Sequence, residues 1–235
     1  MSERWLAIDT ATDIASIAVS AGSETVARSI RGARQHAAKI LPLVHEVLTL
    51  ARLSLKDISG IVVGDGPGSF TGLRIGWAAA KGLAHERQLP LVAIPSLLGA
   101  AHAAGVNVAA GCYDALRGEV FGAVYAFEND QVKTIVAPGL FTLPMLVVRA
   151  RRAPDLAVGD GAELDRETVA AWTGRAPVGI AALPPIASSL LALVAYDGAR
   201  NPIDRSHAEP VYGRPAEAQV KWEARFGRPL PHSPR

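Results

Sequence analysis

The sequence contains one cysteine, Cys112, among 235 residues. A lone thiol excludes an internal disulfide and any metal site built from several cysteines. Its apolar setting, VAAGCY, predicts a core residue. Aromatic residues make up only 6% of the chain, too few for a surface that works by stacking. No run of five basic residues occurs, the formal charge is +2, and the arginine clusters (149–152 and the segment from Arg225) are short. A protein that grips nucleic acid through phosphates needs a concentrated positive patch. The six histidines, His36, His45, His85, His102, His207 and His232, include no pair three or four residues apart, so no helical metal pair exists. Gly66 is not followed by the glycine and lysine of a Walker loop, and no G-x-S-x-G elbow is present. The longest uncharged run, Gln88 to Tyr113, is interrupted by Pro90, Pro95, His102 and Asn107 and cannot span a membrane. The start, MSERWLAIDT, lacks the basic segment and apolar run of a signal peptide, so the cytosol is the expected compartment.

The remaining composition, 49% hydrophobic and 20% charged, is that of a well-buried α/β protein. Periodicity predicts strands at Trp5–Asp9, Ala15–Ser20 and Glu24–Ile30, a helix over Ala33–Arg52, and a buried strand at Gly60–Gly64. The glycine-rich GDGPGSFTG then leads into a helix ending near Gln88, followed by a strand at Leu91–Ile94 and a helix from Pro95-Ser96. The second half repeats this order in abbreviated form. Strands are predicted at Val106–Tyr113, Glu119–Phe127 and Val132–Val136, and a helix at Leu143–Arg152. A strand at Leu156–Gly159 and helices at Ala162–Trp172 and Ile186–Tyr196 follow. The turn VGDG occurs at the same step of both halves, at Val63–Gly66 and Val158–Gly161, which supports a duplication. The expected division is a lobe over 1–102, a second lobe over 103–222, and a poorly ordered tail over 223–235.

Two segments could carry chemistry. Asp9 ends the first strand and precedes Thr10, Ala11 and Thr12. Such a carboxylate can hold a hydrated magnesium ion while turn amides face a phosphate. The same residues also suit a hairpin turn that satisfies its own backbone. The segment Gly66–Gly72 allows close backbone approach ahead of a helix N-terminus that attracts anions. Equally, Ser69 or Thr71 can simply cap that helix.

The first long helix carries more apolar surface than one sheet requires. Ala37, Ile40, Leu41, Leu43, Val44, Val47, Leu48, Leu50 and Ala51 cover roughly 180°, where a stripe of about 100° suffices. On the next helix Gly72, Gly76, Ala79 and Leu83 share one face, small enough for another helix to approach. Both are either well-covered core or a partner face, and Ile40, Val44, Val47, Ala51, Gly72, Gly76, Ala79 and Leu83 are the partner-binding candidates.

The segments LAIDTAT, HAAKILPLVHEVL, GDGPGSFTGLRIG, AKGLA, DALRGEVFGAVY and HAEPVYGRP stand in the order and spacing of the TsaB family, which the chain resembles from about Leu6 to Tyr212. The resemblance implies the two-lobed fold shared by actin, sugar kinases and chaperone ATPases, with the second lobe abbreviated. It also implies a non-catalytic subunit that binds the catalytic paralogue TsaD through first-lobe helices, joined by the ATPase TsaE. That complex modifies adenosine 37 of tRNA, reaching tRNA as a complex, with homodimers left open. In kinases of this fold the first hairpin binds phosphate and magnesium, and the second-lobe strand–helix turn binds adenosine. These map to Asp9, Thr10 and Thr12 and to Gly159, Asp160 and Gly161, as a vestigial nucleotide site. Ala11 stands where kinases commonly have glycine, and the second hairpin, Asp114 to Glu119, lacks a glycine cluster. No cofactor is required by the chain alone, and ATP or ADP is left open for the assembled complex. An active kinase of this fold and a plain homodimeric scaffold are the competing readings; nothing supports peptidase chemistry.

Overall fold

The computed structural model describes residues 3–32, 35–197, 199, 201–202, 208–214, 222 and 225–227. At the centre of the first sheet lies β1 (Trp5–Asp9), antiparallel to β2 (Ile14–Ala21) and parallel to β4 (Gly60–Gly64). β3 (Glu24–Arg31) extends the sheet beyond β2, and β5 (Leu91–Ile94) lies parallel to β4. The alternation of a strand sorts these residues onto two faces. Leu6, Ile8, Ile17, Val19, Ile61 and Val63 pack under α1 (His36–Leu50) and α2 (Phe70–Arg87). Ala7, Ala18 and Val62 face the opposite side, toward α3 (Ser96–Ala103) and α6 (Ile186–Leu193).

The second sheet repeats the first. β6 (Val108–Asp114) is antiparallel to β7 (Val120–Glu128) and parallel to β9 (Leu156–Val158), while β8 (Gln131–Phe141) is the outer strand beside β7. The strand order β5-β4-β1-β2-β3 is thus matched by β9-β6-β7-β8. The missing fifth position survives as one parallel bridge between Val158 and Val178. Val108, Ala110, Cys112, Val120 and Val124 pack against α4 (Leu143–Ala150) and α5 (Arg166–Thr173). Cys112 is fully buried there and its thiol is pushed up to about 12, by burial first and then by Asp160. Between the sheets, α3 and α6 share a core with Ala109, Tyr113, Phe121 and Tyr125 from the second sheet. Each fully buried Leu, Ile or Val contributes about 1.5–3 kcal/mol, so this shared layer holds the lobes together.

Several elements differ from expectation. The lobe boundary at residues 102 and 103 is crossed twice, because α6 packs on the first sheet and β10 (Asn201–Pro202) pairs with β5. The helix expected over Ala162–Trp172 is broken into a 3-10 turn at Gly161–Glu163 and α5, because Asp165 caps α5 by accepting from the Thr168 amide at 3.0 Å. β8 outruns its expected end at Val136 and passes through Pro138, which an outer strand tolerates. Residues 223, 224 and 228–235 of the expected tail lie outside the described residues.

Candidate functional site

A cleft of about 570 Å³ opens where the duplicated turns meet. Its first-lobe wall is Ala11, Thr12 and Asp13 from the β1–β2 turn, with Gly68, Ser69, Phe70 and Thr71 from the glycine-rich loop. The second-lobe wall is Tyr113, Asp114 and Leu116 from the β6–β7 hairpin, Phe121 from β7, and Asp160 from the turn after β9. Tyr212 and Arg214 complete the lining. Four turns singled out in the sequence therefore converge on one space.

The side chains behind this wall are occupied within the protein. Asp9 is 1% exposed and accepts from the Ser96 hydroxyl at 2.6 Å and from the Ala11 amide at 3.4 Å. Burial pushes its carboxyl up to about 6, with those two donors acting in the opposite direction. Gly64 is required beside it, since a Cβ there would collide with the Asp9 carboxylate. Ser96 also accepts from the Gly66 amide at 3.2 Å, and its carbonyl accepts from the Tyr113 hydroxyl at 2.9 Å. Asp9, Ser96 and Tyr113 thus form a buried relay from the first sheet through α3 to the second. The Thr10 hydroxyl points away from the cleft and donates to the Gly72 carbonyl at 2.8 Å. Thr12 lines the cleft, but its hydroxyl engages the Ile14 amide and carbonyl. The hairpin-turn reading of these residues describes how their side chains are bonded within the protein.

The second-lobe turn is similar. Asp160 accepts from the Asp114 amide at 3.1 Å and the Gly161 amide at 3.0 Å, and burial raises its pKa against those donors. Gly159, at φ +108°, packs against the Cys112 carbonyl, and Gly161 against the Tyr113 carbonyl. Of the six nucleotide candidates, Thr12 and Asp160 line the cleft, while Asp9, Thr10, Gly159 and Gly161 shape it from behind. Ser69 caps α2, accepting from the Gly72 amide at 3.2 Å. Among the described residues, no three His, Cys, Asp or Glu side chains gather where they could hold a metal ion.

The partner-face candidates require correction. Ile40, Val44 and Val47 are buried in the first-sheet core. The apolar arc of α1 is wide because the helix lies in the angle between β2, β3 and α2 and buries two flanks. Its outward apolar residues are Ala37, Leu41 and Leu50. Gly72 and Gly76 face the β1–β2 turn rather than a neighbouring helix. A Cβ on Gly72 would strike the Thr10 carbonyl, and one on Gly76 its hydroxyl. Close helix approach occurs instead between α3 and α6, where a Cβ on Gly99 would lie 2.8 Å from Leu190. Ala51, Ala79 and Leu83 stay half-buried at the surface. On α2, Ile75, Ala78, Ala79 and Gly82 form an outward stripe at helical spacing, with Ala78 and Gly82 exposed.

Sequence reasoning missed Ser96, Tyr212 and Arg214 as site residues. Ser96 meets Asp9 across 87 residues of chain, a separation that leaves no local pattern. Tyr212 and Arg214 belong to the segment HAEPVYGRP, whose retention in the motif order was the available signal.

Comparison with known proteins agrees with this architecture. The family model described as "TsaD: tRNA N6-adenosine threonylcarbamoyltransferase" matches residues 28–148. The tRNA threonylcarbamoyladenosine biosynthesis protein TsaB of Escherichia coli is 40% identical over 133 residues, 55% of this chain and 58% of that protein. A solved structure of YeaZ from Pseudomonas aeruginosa superposes with a TM-score of 0.73 at 27% identity, covering 90% of this chain and all of that one. It shares the two-lobed actin-like fold. The TsaB protein of Bacillus subtilis is 30% identical over 223 residues, 92% of this chain and 96% of that protein. With the match running through nearly the whole of both sequences, the chain belongs to the TsaB family.

Proposed function

We propose that this chain is the non-catalytic partner subunit of the assembly that places a threonylcarbamoyl group on adenosine 37 of tRNA, where it binds and supports the catalytic paralogue TsaD. The observation that carries this reading is the near end-to-end match to the Bacillus subtilis protein, whose name places it in tRNA threonylcarbamoyladenosine biosynthesis. The internal use of Asp9 and Thr10 supports a subunit without phosphoryl-transfer chemistry. The ATPase TsaE joins the assembly, and tRNA is reached through the complex, consistent with a net charge of +2 and no basic stripe. The assembly works in the cytoplasm; no described helix is long and apolar enough to cross a membrane. TsaD docks on the outward stripe of α2, where Ile75, Ala78, Ala79 and Gly82 offer a small apolar surface.

Depleting the protein in its own organism and quantifying the modified nucleoside in bulk tRNA by mass spectrometry tests the reading. Threonylcarbamoyladenosine should fall and return with the wild-type chain, and the purified chain should co-elute with that organism's TsaD without hydrolysing ATP alone. Unchanged nucleoside levels would sink the proposal. Steady ATP turnover by the isolated chain, lost in Asp9→Ala, would replace it with a kinase.

A further inference from the structure

The segment Val211–Arg214 runs across the seam between the lobes, and its two ends are held in unlike ways. At the first-lobe end the Val211 amide donates to the Asp65 carbonyl at 2.9 Å, and the Val211 carbonyl packs against Gly66. Tyr212 adds a second anchor on the same lobe. Its ring centroid lies 4.5 Å from that of Phe70, and its hydroxyl accepts from Arg74 Nε at 3.1 Å. Arg74 in turn lies over the Phe70 ring at 4.3 Å, so three side chains stack as one unit at the start of α2. Backbone pairing and a stacked triad make this end part of the first lobe.

Among the described residues, the second-lobe end is hydrogen-bonded through one side chain. Arg214 donates to the carbonyl of Ala115, in the β6–β7 hairpin, and its guanidinium lies 5.9 Å from the Phe121 ring centroid. Gly213 sits between these two ends at φ +75°, a conformation that L side chains rarely adopt. A Cβ on Gly213 would come within 2.7 Å of both Pro67 from the first lobe and Phe121 from the second. The absence of a side chain is what lets the segment lie flat in the seam.

We propose that Val211–Arg214 is a latch, anchored on the first lobe and hooked to the second by Arg214, that sets how far the cleft opens. Arg214 is the one cationic side chain that lines the cleft among the described residues, so the hook is exposed to whatever enters. The latch is independent of which partner or nucleotide the chain meets, and the isolated protein suffices to test it.

Cys112 is buried, with its thiol pushed up to about 12, so introduced surface cysteines label selectively. Spin labels at Ala78→Cys on α2 and Ala170→Cys on α5, both exposed, report the separation of the lobes. Double electron–electron resonance would be measured with the labelled chain diluted in unlabelled chain. The starting protein should give one narrow distance distribution. Arg214→Ala and Gly213→Ala should each broaden it and move its mean outward by more than about 2 Å, with far-ultraviolet circular dichroism unchanged. Arg214→Lys, which keeps a donor for the Ala115 carbonyl, should return most of the narrow population. An unchanged distribution in both alanine variants would overturn the latch. Loss of folded structure in both would also overturn it, since the segment would then be part of the core fold. Failure of Arg214→Lys to restore any of the narrow population would remove Arg214 as the hook.

Discussion

The substitutions Val47→Asp and Gly82→Glu place a carboxylate on the two long first-lobe helices with opposite expected consequences. Val47 has no solvent exposure and packs in the core with Ile40 and Val44. Replacing it removes about 1.5–2 kcal/mol of apolar burial. Forcing a carboxylate into that space without a partner adds several kcal/mol more, or shifts its pKa at similar cost. The total, about 4–6 kcal/mol, is a large part of the roughly 5–15 kcal/mol that holds a domain folded. In a chain of this length each kcal/mol moves the melting temperature by about 2–4 °C. Val47→Asp should therefore lose about 8–24 °C or fail to accumulate.

Gly82 is exposed, lies within α2, and a Cβ there meets nothing within 4 Å. Glutamate replaces the most flexible residue with a good helix former, a gain of about 0.5–1 kcal/mol. The melting temperature should rise by about 1–4 °C. The same side chain would stand on the stripe proposed to receive TsaD, so co-elution should weaken by at least about tenfold, the equivalent of 1.4 kcal/mol. Thermal melting and size-exclusion co-elution on both variants form the assay. A Gly82→Glu variant that melts as expected and binds TsaD fully would refute docking on this stripe. A Val47→Asp variant with an unchanged melting temperature would refute the placement of Val47 in the core.

Asp9 makes stability depend on pH in a defined direction. Its folded pKa, about 6, lies above the ordinary aspartate value of 3.8. The folded state thus holds the proton more tightly, and stability falls as pH rises from about 4 to about 6, by about 2–3 kcal/mol in total. Asp9→Asn should raise the melting temperature at pH 7.5 and bring no advantage at pH 4; equal curves at both would remove the buried charge as the cause. Gly76→Ala should lower stability by about 1–3 kcal/mol, because the added methyl displaces the Thr10 hydroxyl from its bond to Gly72. Denaturant melts of Gly76→Ala that coincide with wild type would show that the β1–β2 turn does not press on α2.

The parts of the fold that were legible in the sequence are those written locally. In β1 and β4, alternate residues face different cores, so the runs WLAID and GIVVG read as strands buried on both faces. The break in the helix after Gly161 is also local, in Asp165 and Thr168, but Ala162 through Trp172 can be drawn on one helical wheel, which masks the cap. The wide arc of α1 was visible and its cause was not. Periodicity counts apolar residues around an axis, and cannot say whether the extra flank meets a second helix of the same chain or a different protein.

Long-range pairings explain the remainder. β10 is two residues long and is a strand only because β5 offers it an edge, while α6 returns to the first sheet across 171 residues, with the Ala187 amide donating to Ser16 Oγ at 3.0 Å. The duplication itself links fold to site. Gly64-Asp65-Gly66 and Gly159-Asp160-Gly161 end equivalent strands, so they occupy equivalent positions in each lobe. Their partners have diverged. In the first lobe a side chain, Asp9, fills the space beside Gly64, whereas in the second the backbone of Cys112 closes on the equivalent Gly159. The same turn thus borders a buried carboxylate relay in one lobe and a backbone-packed hairpin in the other. The relay ties Asp9 to Tyr113 through Ser96, so the divergence links the two lobes beneath the cleft that both turns line.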